Sequence, residues 1–522
     1  MKPQRDLLFM FLFLHGVIMR SICNNLVGRF VLGCVFCIGV AMAGKDGEIN
    51  QKVSKGMREK VSEPSTAKKM PSKPKATPKK SAANIAENPR PPKGKANKHG
   101  DFFVEIHEVE TNLTHKVWYI PSNRQFVSMS IVFLDAGMKN VNGTHPALGL
   151  FTDMLTKGCG KLDQYEFLET IYDNGATISF ASDIDHASIT FWAPVSSYIV
   201  PLNLIPDMCL APLLPNKLFE KARKDALNSF KGSLKDPATH LHEAMNAAFY
   251  PSEHPYRSSL TRIAEDIKAI KPQDIRNYLK LLCQGNAVVV ILGPRENETE
   301  IVENVVKMLS AFPAKGTPVL TEYGPINTPE HDIHVQFDIP QTMISSRQPG
   351  FYTTDPNYYA KKVAFAIVAR PSLDSLMYKN VRGDHGLAYY CYGKVCINRG
   401  DAALEFSAGT RNETTEQVKD IMKKTCTTVA KNGVSKSDFE LIRKEIAGTL
   451  VVGLDSSASM VSFCVNNRIL GRSLEETRNQ LNMLKAVSLK DVNAACSMFG
   501  KEMRFVTVGG GGGNDGNIAR SN

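Results

Sequence analysis

The feature of this sequence that most constrains its fold is an internal duplication. Two stretches 220 residues apart, FEKARKDALNSFKGSLK at 219–235 and FELIRKEIAGTLVVGLD at 439–455, share five identities in 17 positions, more than ordinary composition produces by chance. A second pair, HKVWYIP at 115–121 and HVQFDIP at 334–340, begins with His and ends with Ile-Pro. Self-similarity at a constant spacing indicates a repeated structural unit, so the chain is predicted to contain the same fold twice.

The apolar pattern gives both halves the same order of elements. Val127, Met129, Ile131 and Phe133 recur at the period of two that is typical of a strand. A helix, a hairpin (176–193 in the first half) and further helices follow, and each half closes on an apolar strand, AVVVILG or RFVTVG. This order predicts an α+β fold with two homologous halves. Each half is expected to be a mixed, mostly antiparallel β-sheet packed with helices, and the two together to form a clamshell.

The domain boundaries follow from changes in composition. A Pro-, Gly- and Thr-rich stretch at 312–329 separates the halves, which are predicted to occupy 101–318 and 330–511. The glycine-rich end of the chain, 512–522, is predicted to be a flexible tail.

The positive charge of the chain belongs to its N-terminal part. Of the net charge of +11, residues 1–100 contribute +13, from 19 Lys/Arg and 6 Asp/Glu, and the remaining residues contribute −2. Residues 44–100 are rich in Lys, Pro, Ser and Ala, so they are predicted to be a disordered basic linker, with attraction to anionic lipid as the alternative. The nearly neutral body argues against a nucleic-acid-binding protein, and no nucleic acid partner is expected.

The first 43 residues are predicted to be a signal peptide, with an uncleaved N-terminal anchor as the competing interpretation. A short apolar run, FVLGCVFCIGVAMA at 30–43, follows Arg20 and Arg29 and ends in the small-residue pattern Ala-Met-Ala. The run is too short to span a bilayer comfortably. The protein is therefore expected to be exported, to a bacterial periplasm, and to contact a membrane only through this leader or the basic linker.

Common catalytic motifs are missing from the sequence. It contains no G-x-S-x-G, no phosphate-binding loop and no H-E-x-x-H or H-x-x-E-H pair. The nearest group of metal-ligating residues is His240, His242 and Glu243. On a helix His242 would point away from the other two, so these residues are predicted to be ordinary helical polar groups rather than zinc ligands.

Several segments, taken in order, resemble the insulinase/pitrilysin family of zinc peptidases and its processing-peptidase relatives. Residues 143–158 (GTHPALGLFTDMLTKG) end in the family's Met-Leu-x-Lys-Gly, and 175–193 and 251–260 resemble its next hairpin and its His-Pro-Tyr loop. In the second half, 376–390 (LMYKNVRGDHGLAYY) carries R-x-x-x-G-L-A-Y. The resemblance covers 101–510 and implies the family's two-half fold.

The departure from the family lies at the zinc site. Counting back from Met154, the two zinc histidines of H-x-x-E-H fall on Gly149 and Asp153, and the catalytic glutamate falls on Thr152. The third ligand should lie within 226–231 (ALNSFK), which contains no carboxylate. Zinc catalysis needs three protein ligands and an activated water. The resemblance thus implies a degenerate site, with no catalytic residue and no cofactor bound by this chain.

Arg382 and Tyr389 occupy the positions of the family's substrate-binding Arg/Tyr pair. The resemblance implies that they bind substrate in a non-catalytic subunit of a heterodimeric zinc metallopeptidase acting on peptides or unfolded segments. Its partner would be a catalytic family member with an intact motif, which would carry the zinc. The alternative is a peptide-binding or scaffolding protein of the same fold without a peptidase partner. A minor alternative is an active zinc peptidase with a rearranged site.

Overall fold

The predicted strands form two β-sheets in the computed structural model, which describes residues 105–510 except 114, 135, 138–144, 253, 258, 284–286, 313–325 and 399–400. The predictions for 1–43, 44–100 and 512–522 lie outside the described residues. The prediction of an α+β fold with two mixed, mostly antiparallel sheets is confirmed, whereas the exact limits of the two halves stay a prediction.

The first sheet has six strands in the order β1-β2-β6-β3-β5-β4. Only β2 and β6 run parallel. Its strands are β1 (His107–Val109), β2 (Lys116–Ser122), β3 (Phe126–Phe133), β4 (Thr177–Ser182), β5 (Ala187–Pro194) and β6 (Ala287–Pro294).

The second sheet has five strands in the order β7-β11-β8-β10-β9, and only β7 and β11 run parallel. Its strands are β7 (Ile333–Gln336), β8 (Gln341–Pro349), β9 (Ala388–Ile397), β10 (Ala402–Arg411) and β11 (Phe505–Gly509). This order repeats the order β2-β6-β3-β5-β4 of the first sheet, parallel pair included. The duplication detected in the sequence is therefore a duplication of topology.

The Ile-Pro pairs shared by the two halves do not mark the ends of strands. Strand β2 includes Pro121, and β7 ends four residues before Pro340. Strand β1 pairs with β2 only as far as Tyr119, so Pro121 lies where β2 has an open side and needs no N–H there.

Sixteen helices pack on these sheets in the described part of the chain. They are α1 (His145–Met154), α2 (Gln164–Asp173), α3 (Ile199–Leu202), α4 (Leu204–Leu210), α5 (Asn216–Ser233), α6 (Pro237–Phe249), α7 (Leu260–Ala269), α8 (Pro272–Leu282), α9 (Glu298–Leu309), α10 (Tyr358–Ala369), α11 (Leu376–Tyr378), α12 (Thr415–Asn432), α13 (Lys436–Val452), α14 (Ser457–Ile469), α15 (Leu474–Ala486) and α16 (Leu489–Ala495). Helix α11 continues as a π-helical turn, Lys379–Gly383.

Each half contributes one helix that packs on the sheet of the other half. Helix α6 of the first half packs on β7, β8 and β11 of the second sheet, and α14 of the second half packs on β3 and β6 of the first sheet. Met245 and Phe249 of α6 are buried against Val506 of β11. On the other side, the guanidinium of Arg468 in α14 lies 4.9 Å from the Trp118 ring. Because each sheet is covered by a helix from the other half, the two halves are expected to fold and unfold together.

The residues shared by the two repeats make the same contacts. Arg223 lies over the Phe219 ring at 4.7 Å, and Arg443 lies over the Phe439 ring at 5.0 Å. Each arginine also donates to a backbone carbonyl near the end of a later helix, Arg223 to Ile270 and Arg443 to Lys485. In both halves, therefore, this arginine connects one long helix to the end of a neighbouring helix.

A buried ionic group lies in the second sheet beneath α6. Glu405 of β10 pairs with Arg347 of β8 (3.0 Å) and Lys394 of β9 (2.9 Å). Burial alone would raise the pKa of Glu405, but the charges of Lys394 and Arg347 outweigh it and lower this pKa to about 2. The Tyr250 ring, which follows α6, lies 5.0 Å from the Arg347 guanidinium, so the ionic group is part of the contact between the halves.

Within the described residues, no single helix is both long and apolar enough to cross a membrane, although the bent pair Lys436–Val452 and Ser457–Ile469 passes the length and composition criteria when its two helices are taken together.

Candidate functional site

Helix α1 carries the positions that correspond to the family's zinc motif. Gly149 supplies no donor atom, and a Cβ built there would meet nothing within 4 Å. The Thr152 hydroxyl donates to the carbonyl of Gly149 in its own helix (2.9 Å). The Asp153 carboxylate accepts from Lys157 one turn later (2.9 Å). The polar atoms at these positions are thus bonded along the helix, and they offer no pair of imidazoles to a metal.

Helix α5 packs against α1, where a helix carrying the third ligand is expected. Its segment 226–231 is used for apolar packing: Phe230 is buried with Ile263 and Ile267 of α7. Among the described residues, no group of three or more His, Cys, Asp and Glu could hold a metal ion. The residues present therefore do not fit a zinc ion, and no catalytic step through zinc can be derived for this chain.

The other candidate metal ligands, on α6, have structural partners. The His240 ring bonds the carbonyl of Leu234 (2.8 Å), and His242 bonds the side chain of Asn246 (3.1 Å). The Glu243 carboxylate accepts from the backbone N–H of Leu260 at the start of α7 (2.6 Å). The three side chains thus bond to different segments of the first half.

Arg382 and Tyr389 are brought together by the turn that joins α11 to β9. Arg382 lies in the π-helical turn, and Gly386 follows with φ of 63°, a conformation that L side chains rarely adopt. The reversal at Gly386 brings the start of β9 back beside the turn. Arg382 Nη1 donates to the backbone carbonyl of Tyr389 (2.6 Å), and its guanidinium lies 5.3 Å from the Tyr389 ring.

A β-bulge exposes the Tyr389 side chain. In the pairing of β9 with β10, Ala388 lies opposite Thr410 and Tyr390 lies opposite Gly409, which leaves Tyr389 without a partner residue. Tyr389 is 42% exposed. Tyr390 instead packs over Gly409, where a Cβ would meet its ring at 2.4 Å, and burial raises its pKa. Tyr389 is therefore exposed, whereas Tyr390 is half-buried.

Sequence reasoning missed a third member of this cluster, Tyr378. The guanidinium of Arg382 lies 5.3 Å from the Tyr378 ring, the same distance as from Tyr389. The signal was available, because Tyr378 precedes Arg382 by four residues and side chains at that spacing meet on a helix. We call Tyr378, Arg382 and Tyr389 the arginine cluster.

Comparison with known proteins agrees with this fold. Residues 269–446 match the family described as the Peptidase M16 inactive domain. The uncharacterized zinc protease YmxG of Bacillus subtilis is 21% identical over 295 residues, which are 56% of this chain and 70% of that protein.

Solved structures share the fold at low sequence identity. The peptidase M16 inactive domain from Pseudomonas fluorescens has a TM-score of 0.69 and 18% identity, over 78% of this chain and 98% of that one. The periplasmic protease PqqL from Escherichia coli has a TM-score of 0.61 and 14% identity, over 76% of this chain and 44% of that one.

The sequence of residues 269–446 and the fold of the described residues are similar to those of M16 peptidases, which confirms the resemblance to the insulinase/pitrilysin family. Residues 269–446 match an inactive-type domain of that family. The positions of the zinc motif, 149, 152 and 153, lie outside this match and hold Gly, Thr and Asp.

Proposed function

We propose that this chain is the non-catalytic, substrate-binding subunit of a heterodimeric zinc metallopeptidase that acts on peptides or unfolded protein segments. One contrast supports the proposal above all. The positions of the zinc ligands hold Gly149, Thr152 and Asp153, whereas the substrate-binding pair Arg382 and Tyr389 is present, adjacent and exposed. The chain thus has side chains suited to binding a peptide oxygen, but no zinc ligands at the positions of the motif.

Arg382 and Tyr389 would bind a carbonyl or carboxylate oxygen of the peptide. A guanidinium has five N–H donors, and the bond to the Tyr389 carbonyl uses one of them. The Tyr389 hydroxyl adds a donor on the same exposed surface. Such donors stabilise negative charge on a carbonyl oxygen, so this chain would assist hydrolysis that the zinc of its partner performs.

An open strand edge beside each candidate position supports binding of an extended peptide. Among the described strands, β4 pairs only with β5, and β9 pairs only with β10. Strand β4 contacts helix α1, and Tyr389 of the arginine cluster lies at the start of β9. An extended peptide can add to such an edge through backbone hydrogen bonds.

The proposed partner is a catalytic member of the same family with an intact H-x-x-E-H, and the proposed location is a bacterial periplasm. The predicted signal peptide at 1–43 supports export, and the structurally similar PqqL is described as a periplasmic protease.

The proposal is tested by producing the full chain alone and together with a family member from the same genome that carries H-x-x-E-H. The expected result is that the lone chain neither holds stoichiometric zinc nor cleaves peptides, whereas the two chains together do both. Zinc and cleavage in the lone chain would overturn it. Peptide binding by the lone chain that the zinc-motif chain neither strengthens nor converts into cleavage would favour the scaffolding alternative.

A further inference from the structure

We propose that Tyr378 is a positioning residue that holds the guanidinium of Arg382 ready for a peptide oxygen. This inference rests on the proposed function for its ligand, but the placement of Arg382 can be tested without one. The Arg382 guanidinium lies 5.3 Å from the Tyr378 ring and equally far from the Tyr389 ring. Arg382 is exposed, and an exposed arginine without such contacts samples many rotamers.

The backbone that carries Tyr378 is fixed from below. The hydroxyl of Ser375, which is fully buried, accepts from the Tyr378 N–H (3.4 Å), and the Ser375 carbonyl accepts from the Lys379 N–H (2.9 Å). The neighbouring Met377 is also fully buried in the core of the second half. The backbone of Tyr378 is therefore held in place by buried neighbours, although the Tyr378 side chain is only half-buried.

The turn after Tyr378 aims Arg382 at Tyr389. The N–H of Asp384 bonds the carbonyl of Lys379, five residues earlier, so the turn is wider than an α-helical one. The N–H of Gly386 then bonds the carbonyl of Arg382 (2.9 Å). Wider turns of this kind are frequent at functional sites, where they redirect one side chain.

The start of β9, which carries Tyr389, is also held in place. The Thr410 hydroxyl donates to the carbonyl of Leu387 (2.6 Å) beside the bulge, which ties the start of β9 to β10. Arg382 is thus placed by two aromatic rings and one carbonyl, all on fixed backbone. A donor that is already in position loses less conformational entropy when a ligand binds, and this difference appears as affinity.

The placement of Arg382 is measured first, on the free full-length protein. Phenylglyoxal modifies arginine, and mass spectrometry of the digested protein gives the rate at Arg382 and at an exposed reference, Arg262. In Tyr378→Leu the rate at Arg382 is expected to rise about two- to fivefold, the factor that one exposed cation–π contact represents. Tyr378→Phe keeps the ring and is expected to match wild type. An unchanged rate in a folded Tyr378→Leu protein would overturn the proposal.

The consequence for binding is measured by a double-mutant cycle with an extended fluorescent peptide. Tyr378→Leu is expected to weaken binding about two- to fivefold in the wild-type background, and to have no effect in an Arg382→Ala background. Equal weakening in both backgrounds would show a merely structural role and overturn the proposal. Tyr165→Leu, at an exposed tyrosine of α2, is the matched control and should leave binding unchanged.

The two arms separate the inference from the function on which it rests. If wild type binds no peptide while Tyr378→Leu still raises the rate at which phenylglyoxal modifies Arg382, the proposed function fails and the positioning of Arg382 stands. If peptide binding depends on Arg382 but not on Tyr378, the proposed function stands and the inference fails.

Discussion

Arg382 donates a hydrogen bond from Nη1 to the backbone carbonyl of Tyr389 (2.6 Å) and lies 5.3 Å from its ring. The bond is possible because the bulge leaves Tyr389 without a partner residue in β10. Seven residues separate the two in the sequence, but a π-helical turn and the reversal at Gly386 place them side by side. The backbone of the second half therefore places Arg382 and Tyr389 in contact.

In a complex with a catalytic partner, we predict that Arg382→Ala lowers kcat/KM for peptide cleavage by about 100-fold, the loss expected when one donor to a developing oxyanion is removed. Tyr389→Phe keeps the ring and loses one hydroxyl, so it should cost about tenfold or less. Arg262→Ala, at an exposed arginine of α7, is the control and should stay within about twofold. Steady-state kinetics check this, and wild-type rates for Arg382→Ala would contradict it.

We predict that the lone chain holds no stoichiometric zinc and that the triple substitution Gly149→His, Thr152→Glu, Asp153→His restores partial affinity. The substitutions recreate H-x-x-E-H on α1, and the open space at Gly149 admits a side chain. Affinity should remain weak because 226–231 supplies no third carboxylate. Elemental analysis after dialysis and a zinc titration check this. One tightly held zinc ion per wild-type chain would show that the metal is bound elsewhere.

The ion pairs of Glu405 should make the free energy of unfolding depend on pH. The Glu405 pKa is lowered from 4.5 to about 2 in the folded protein, so its stabilisation is complete above pH 4.5 and is lost as pH falls towards 2. We predict that Glu405→Gln lowers the free energy of unfolding at neutral pH by about 3–5 kcal/mol, because Arg347 remains buried, and Lys394 half-buried, without their counter-ion.

The measurement for Glu405 is urea unfolding at a series of pH values. The Gln variant should lose the part of the acid dependence that Glu405 contributes. Glu416→Gln is the matched control, because Glu416 is 71% exposed and Lys419 keeps a second carboxylate partner, Asp332, when Glu416 is replaced. If the two substitutions lowered the free energy of unfolding equally, the ion pairs of Glu405 would contribute no more to stability than the pair of Glu416.

The exchanged helices predict that the halves unfold as one unit. Both tryptophans, Trp118 and Trp192, lie in the first half, so their fluorescence reports that half while circular dichroism reports both. We predict coincident transitions in wild type. Phe249→Ala, which leaves a cavity between α6 and β11, should lower stability by about 3–5 kcal/mol with both probes. Separate transitions in wild type would contradict the interlocked fold.

The repeated α+β architecture could be predicted from the sequence because the two halves share residues that make equivalent contacts. Arg223 and Arg443 were recognisable as equivalents, and both fasten a long helix through a ring and a carbonyl. Which sheet each helix covers was beyond prediction, since an apolar helix face does not identify its partner. The exchange of α6 and α14 between the halves depends on contacts far apart in the chain.

The candidate site was predictable in part for similar reasons. Arg382 and Tyr389 could be identified from a local pattern, R-x-x-x-G-L-A-Y. The contact of Tyr378 with Arg382 could have been predicted from their spacing of four residues. The bulge that exposes Tyr389 depends on the register of β9 with β10, and long-range register leaves no periodic signal in the sequence.

Native mass spectrometry of the assembly isolated from its source organism tests the central claim most directly. The account predicts one copy of this chain, one copy of a second family member with H-x-x-E-H, and one zinc ion that stays with the second chain when the two are separated. An assembly of this chain alone that carries one zinc ion per copy would contradict it.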